Sequence, residues 1–397
     1  MLLYILSTLT GIFAGVFTGL VPGIHPNTVI FTSLPVYLET SISLPLYLSF
    51  ITGMSISHTF HDFLPAIFLS APEAEAALSA VAAPELVNRG KGLQAFQNTV
   101  YGGIIALLVV GISSLPVFIF LEQAYNFLSG FMEYILLFFL LFMVLESENS
   151  ISAAIISFFC GVIGVVSFQA PVNQQFVLVP VFAGLFAVPG VLEILGEDFS
   201  LSEQRETENS LAGSFKGGFV GSLAGLMAGI FPGIGSAAST SFLTPLMGRS
   251  RKTFLTAMGA VNTSDIIFSL LTLQVIGKAR SGVSVAFKAL STPGTSLMIL
   301  LSVLTVFSIL LSAYLSLHIS RFYISVLRAV KIRIVLYMVL AVIFFSSIYL
   351  TGLLGLLVLL TSFFVGKAAV ETGNRRVCMS VLIVPSILFF AELGLFM

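Results

Sequence analysis

Two short stretches hold most of the side chains able to do chemistry. The segment SISHTFHDFLP (residues 55–65) sets His58, His61 and Asp62 within about one helical turn, and NTSDIIFSLL (262–271) carries Asp265 among apolar neighbours. With a shift of 207 residues, Ser57 aligns on Ser264 and His58 on Asp265. Ionisable residues in an apolar setting are costly and are by default functional. Asp62 and Asp265 are candidates to bind a coupling Na⁺ or a proton, because a low dielectric favours the neutral form of a carboxyl group. Ser57, His58, Asp62, Asn262, Ser264 and Asp265 form the expected coupling-ion set. The histidines do not make an HExxH pattern, so metalloprotease chemistry has little support. An intramembrane enzyme built on His58, His61 or Asp62 would need a catalytic partner within hydrogen-bond reach. Each histidine, alternatively, is a hydrogen-bonded packing residue, and Asp265 a helix-linking one.

A second set of candidates lies at two Pro-Gly pairs, PGIHPNT (22–28) and PGIGSAASTS (232–241). Proline removes a backbone donor and glycine permits positive φ, so a helix arriving there should break and restart. Non-helical backbone at membrane depth needs protein or water around it. A restarting half-helix turns free N–H groups and its positive end toward that space, which suits an anion. Pro22, Gly23, His25, Asn27 and Thr28, with Pro232, Gly233, Gly235, Ser236, Ser239 and Thr240, are the expected substrate-binding residues; His25 would contact substrate or titrate. The simpler account is that Pro-Gly kinks two packed helices. The same donors suit a phosphate head group, which keeps a lipid-linked phosphate translocator as the alternative to a permease for a small organic anion. A passive channel is a further option. A third matched pair, APEAEAAL (71–78) and GKARSGVSVAF (277–287), opposes Glu73 and Glu75 to Lys278 and Arg280 as cross-interface partners, gates or solvated span ends.

These groups must be held by membrane helices. The chain has 397 residues, 57% hydrophobic and only 9% charged, with a mean hydropathy of +1.08. Water-soluble domains carry about 25% charged residues. Unbroken apolar runs such as 101–121 and 333–350 argue for helices over a barrel, whose strands alternate. The expected fold is therefore an all-α polytopic membrane protein with roughly ten to fourteen crossings. A net charge of −1 offers no basic face for nucleic acid. Cys160 and Cys378 show no metal or disulfide spacing and read as packing residues. The N-terminal stretch lacks a charged leader pattern and reads as a first span.

The order of the elements points to duplication. Residues 11–35 align without a gap on 221–245 with eight identities, six of them Gly or Pro. Apolar runs near 95–119, 127–145, 151–168 and 176–192 are matched by 295–317, 333–350, 352–366 and 377–396. The expected division is a first repeat over 1–196, an acidic linker over 197–213 and a second repeat over 214–397. Fourteen of the seventeen Lys and Arg residues fall in five clusters that one topology places on a single side. Each repeat then crosses an odd number of times, about seven, and the two are inverted, as in many secondary transporters.

The glycine-patterned helices with paired Pro-Gly turns, the stretch PELVNRGKGLQAFQNTVYGG (84–103) and VPVFAGLFAVPGVLEIL (179–195) resemble the large membrane subunit of the tripartite tricarboxylate transporters, TctA. The resemblance covers most of the chain in order. It implies a multi-pass permease of the cell membrane that moves a carboxylate such as citrate by ion-coupled symport. It also implies a small membrane subunit and an extracytoplasmic substrate-binding protein as partners, no organic cofactor, and Pro22-Gly23 and Pro232-Gly233 at the substrate. A homo-oligomer is left open.

Overall fold

The computed structural model describes residues 1–21, 26–71, 83–147, 149–174, 176–196, 202–204, 210–248, 250–290 and 294–392. Among them every regular element is a helix. The first half holds α1 (Leu2–Leu20), α2 (Pro26–Leu38), α3 (Leu44–His61), α4 (Phe63–Phe68), α5 (Pro84–Asn88), α6 (Gly92–Ser129), α7 (Met132–Leu145), α8 (Ser150–Gln169) and α9 (Leu178–Gly196). The second holds α10 (Phe215–Ile230), α11 (Ser236–Phe242), α12 (Thr244–Met247), α13 (Arg251–Ile276), α14 (Gly282–Leu290), α15 (Thr295–Ala329), α16 (Ile332–Glu371) and α17 (Ser380–Phe390). Seven described helices are long and apolar enough to cross a bilayer, and α7 and α10 are shorter apolar helices. Gly352, at φ 70° and ψ −166°, breaks the 40-residue α16 into two.

Local chemistry sets the ends of the elements. Ser250 caps α13 by accepting from the Thr253 amide, and Gly277 closes it in the left-handed conformation at φ 67°. Leu108, Ile112, Leu115 and Phe120 on α6 and Ile299, Val303 and Leu310 on α15 point outward, as expected of surfaces that meet lipid.

Each half is organised around a glycine stripe that lets two parallel helices touch backbone to backbone. On α1, a Cβ at Gly11, Gly15 or Gly19 would collide with Phe50, with Met54 and Ser57, or with His61 of α3. On α10, a Cβ at Gly221, Gly225 or Gly229 would collide with Ala257, Ser264 or Phe268 of α13. Phe50, Ser57 and His61 become Ala257, Ser264 and Phe268 under the same 207-residue shift that aligns His58 on Asp265. The halves also interlock. α6 of the first half packs on α10 and α13 of the second, and α15 of the second packs on α1 and α3 of the first.

Chain direction differs between the halves. Phe68, just after α3, lies with Glu85, Arg89, Glu193, Arg375 and Arg376 at one end of the bundle. Arg251, at the start of α13, pairs with Glu85 at that same end. α1 and α3 therefore run toward this charged end, while α10 and α13 run away from it. The stretch between the halves is tied back to the first one: the Gln204 side chain accepts from the Gly92 amide at 2.6 Å and donates to the Val87 carbonyl at 3.0 Å.

Candidate functional site

The stripes press the polar face of each partner helix into the middle of the protein. On α3, Ser55, Ser57, His58, Thr59, His61 and Asp62 are all buried. Thr18 of α1 meets the His58 ring, Oγ1 to Nδ1, at 3.0 Å. His61 Nδ1 donates to the Ser57 carbonyl at 2.7 Å, which fixes the proton on that nitrogen. Asp62 is 2% exposed, and its amide donates to the His58 carbonyl.

On α13 the equivalent surface is built differently. Asp265 accepts from Ser236 Oγ at 3.0 Å on one carboxylate oxygen and from Ser269 Oγ at 3.1 Å on the other. Ser236 is the first residue of α11, the helix that follows the second Pro-Gly pair, so the turn and the half-buried carboxylate form one unit. Asn262, one turn before Asp265, is 2% exposed, and neither end of its amide has a partner among the described residues. Ser264 seats against Gly225 and donates to the Ala260 carbonyl at 2.7 Å.

The Pro-Gly turn itself shows why glycine is needed. Gly233 has φ +73°, and a Cβ there would strike Ser386 of α17. Gly235 then opens α11 in extended backbone. The restarted helix is only seven residues long, so its dipole contributes less than a full half-helix would. Ser239 and Thr240 donate to carbonyls of their own helix, to Ser236 at 3.1 and 2.7 Å, and keep only lone pairs to offer. In the first half, Pro22, Gly23 and His25 lie outside the described residues, as do Glu73 and Glu75; Asn27 and Thr28 are placed only as backbone of α2.

Two openings reach this unit from opposite ends. A cavity of about 780 Å³ at the charged end is lined by residues of both halves, among them Phe68, Phe142 and Asn374, and extends to Ser241 of α11. The Ser241 hydroxyl is buried with no partner among the described residues. A cleft of about 520 Å³ at the other end is lined by Tyr125, Lys278, Arg280 and Ser386 and extends to Pro232. Ser236 and Ser241, five residues apart, are separated by about 7.5 Å of helix rise.

No cluster of three or more His, Cys, Asp or Glu able to hold a metal occurs among the described residues. Hydroxyl and carboxylate oxygens around Asp265 are the donors available to a hard cation.

The sequence profile described as the tripartite tricarboxylate transporter TctA family matches residues 5–380. The chain belongs to this family. This TctA-family protein is a multi-pass membrane transport component and not an enzyme, which removes the intramembrane-enzyme option for His58, His61 and Asp62. Membership also implies partner proteins, such as a substrate-binding protein and a small subunit. An uncharacterised protein of Methanocaldococcus jannaschii is 28% identical over 410 residues, covering 98% of this chain and 99% of that protein. No solved structure matches the chain.

Two members of the site were not among the sequence candidates. Ser269, the second donor to Asp265, is the residue that the 207-residue shift places on Asp62, so its signal was present. Thr18, the partner of His58, sits beside Gly19 on the glycine face of α1 but aligns on Ala228, so the repeat carried no sign of it.

Proposed function

We propose that this TctA-family chain is the ion-coupled permease for a small organic anion, a carboxylate, and works by alternating access between two inverted repeats, residues 1–196 and 214–397. One observation carries the reading. Openings from opposite ends reach the two sides of the same short segment, Pro232 from one end and Ser241 from the other. Moving that segment relative to its surroundings would exchange access without opening a continuous pore. The opposed directions of α1/α3 and α10/α13 support inversion of the repeats.

Substrate binds beside the Pro-Gly turns, at Pro232, Gly233, Gly235 and the α11 hydroxyls, together with the matching 22–28 segment. The coupling ion, Na⁺ or a proton, binds at Asp265 with Ser236 and Ser269; Ser57, His58 and Asp62 are the matching group of the first half. The protein works in a cell membrane with a small membrane subunit and an extracytoplasmic binding protein. Uptake of labelled citrate, succinate and acetate into proteoliposomes under an imposed Na⁺ or proton gradient tests this. Saturable, gradient-dependent uptake of at least one is expected; no gradient-dependent flux of any would overturn the proposal.

A further inference from the structure

Fourteen of the seventeen basic residues belong to the clusters that sequence assigns to one side of the membrane. The three left over are Lys278, Arg280 and Lys288. Two of them line the cleft at the opposite end, which reaches Pro232. α13 separates that end from the ion-paired one by 26 residues, about 39 Å. Basic residues that run against the side bias of a membrane protein call for a local reason.

The surroundings of the pair supply one. The described side chains lining the cleft are Tyr125, Phe168, Pro232, Lys278, Arg280, Pro385, Ser386, Phe389 and Phe390, with no carboxylate among them. At the other end, Arg251 and Arg375 are each paired with a glutamate of the opposite half, Glu85 and Glu193. Lys278 and Arg280 have no acidic partner among the described residues. Arg280 is nevertheless held in place. One terminal nitrogen donates to the Tyr125 hydroxyl at 3.1 Å, and the guanidinium lies 5.9 Å from the centroid of that ring. Its Nε–H is buried without an acceptor among the described residues. The guanidinium is thus oriented from one side and keeps donors in reserve, as planar recognition of a carboxylate requires.

We propose that Lys278 and Arg280, positioned by Tyr125, form an entry subsite for a polycarboxylate, which hands the anion to the Pro232-Gly233 turn. A guanidinium and an ammonium beside one apolar-walled cleft suit a ligand with at least two carboxylates better than a monoanion. The proposal rests on the carboxylate permease reading and deepens it by assigning residues outside the Pro-Gly segments.

The test is equilibrium binding of labelled citrate to the purified full-length chain, alongside uptake into proteoliposomes, for wild type and the Arg280→Gln, Arg280→Lys, Lys278→Gln and Gly233→Val variants. Size-exclusion profile and Tm report folding for each. Arg280→Gln should weaken citrate binding and raise its KM at least tenfold with kcat changed less than threefold. Lys278→Gln should raise KM three- to tenfold, and Arg280→Lys should recover part of the loss. The salt dependence of citrate binding should flatten in both Gln variants, a change that loss of packing alone would not produce. Unchanged citrate KM in Arg280→Gln and Lys278→Gln, while Gly233→Val loses transport, would overturn the subsite and leave the permease intact. Uptake preserved in all four variants would overturn the Pro-Gly site as well. Inorganic phosphate or acetate competing as well as citrate would overturn the polycarboxylate assignment.

Discussion

Two long helices that cross between the halves, α6 and α15, make the same kind of crossing with different tightness. α6 enters the second half through glycines: a Cβ at Gly102 would meet the Thr256 carbonyl, one at Gly259 the Thr99 carbonyl, and one at Gly218 the Ile105 side chain. α15 enters the first half with no described glycine whose Cβ would meet it; its buried face carries Ser308, Ser312 and Ser316. Backbone locked against backbone cannot slide, because carbonyls have no rotamers to yield. A face of serines and aliphatic side chains can. The α6 crossing is suited to hold the second half rigid, and the α15 crossing to let the first half shift during a transport cycle.

The halves differ again where ions would bind. The position occupied by the His58 imidazole in α3 holds the Asp265 carboxylate in α13, and the position of Asp62 holds Ser269. A carboxyl group therefore sits one helical turn apart in the two halves. Glycine contacts in the same register thus position different chemistry in the two halves.

The largest effect should come from closing a glycine contact. Gly259→Leu is expected to abolish folded protein, measured as monodisperse material after extraction, since overpacking that backbone repack cannot relieve exceeds the usual ~1–3 kcal/mol. Ser312→Ala on the α15 face should leave Tm unchanged or slightly raised, because the Ser312 hydroxyl has no partner among the described residues. Equal damage from both would erase the distinction between a rigid and a mobile crossing.

Next comes the carboxylate exchange. Asp265→Asn should slow gradient-driven uptake about 10- to 100-fold, matching the ~1.5–3 kcal/mol of hydrogen bonds to a charged group. Ser236→Ala should raise the apparent KM for the coupling ion by about three- to tenfold. Asp62→Asn sharpens the comparison: an equal loss assigns coupling to both repeats, and a small one to the second alone.

The smallest effect is expected at the ion pair between the halves. Glu85 is partly exposed, and the Arg251 guanidinium beside it holds its carboxyl below the usual range. The stability that wild type has over Glu85→Gln should be present above the ordinary carboxylate value of about 4.3, and should vanish as pH falls through the lower folded value. Tm measured against pH for both proteins checks this, and a difference that persists at the acid end would assign the contact to packing.

Much of this frame was legible in sequence because glycine and proline are read one position at a time. Gly11, Gly15, Gly19 and Gly221, Gly225, Gly229 mark close contacts wherever they occur, and the shift that aligns Ser57 on Ser264 is the register the backbones adopt. Which helix would lie across which was not legible. The outward faces of α6 and α15 are as apolar as much of what they bury, and lipid and protein neighbours select the same residues. The Arg280–Tyr125 contact joins residues 155 positions apart, so the sequence showed a charge without its support. The brevity of α11 was marked by one residue, Pro245 in SAASTSFLTP, which stands two positions past Leu243 and opens the next short helix.

That brevity has an electrical consequence. If water fills the openings on either side of α11, nearly the whole membrane voltage drops across the short segment between Pro232 and Ser241. Each elementary charge carried past this segment then exchanges about 2.3 kcal/mol with the field for every 100 mV. A polyanion and its companion cations would pay or gain that in a single short step. The net charge of the loaded site, set at Asp265 and its neighbours, would then decide which way the cell's potential drives the cycle.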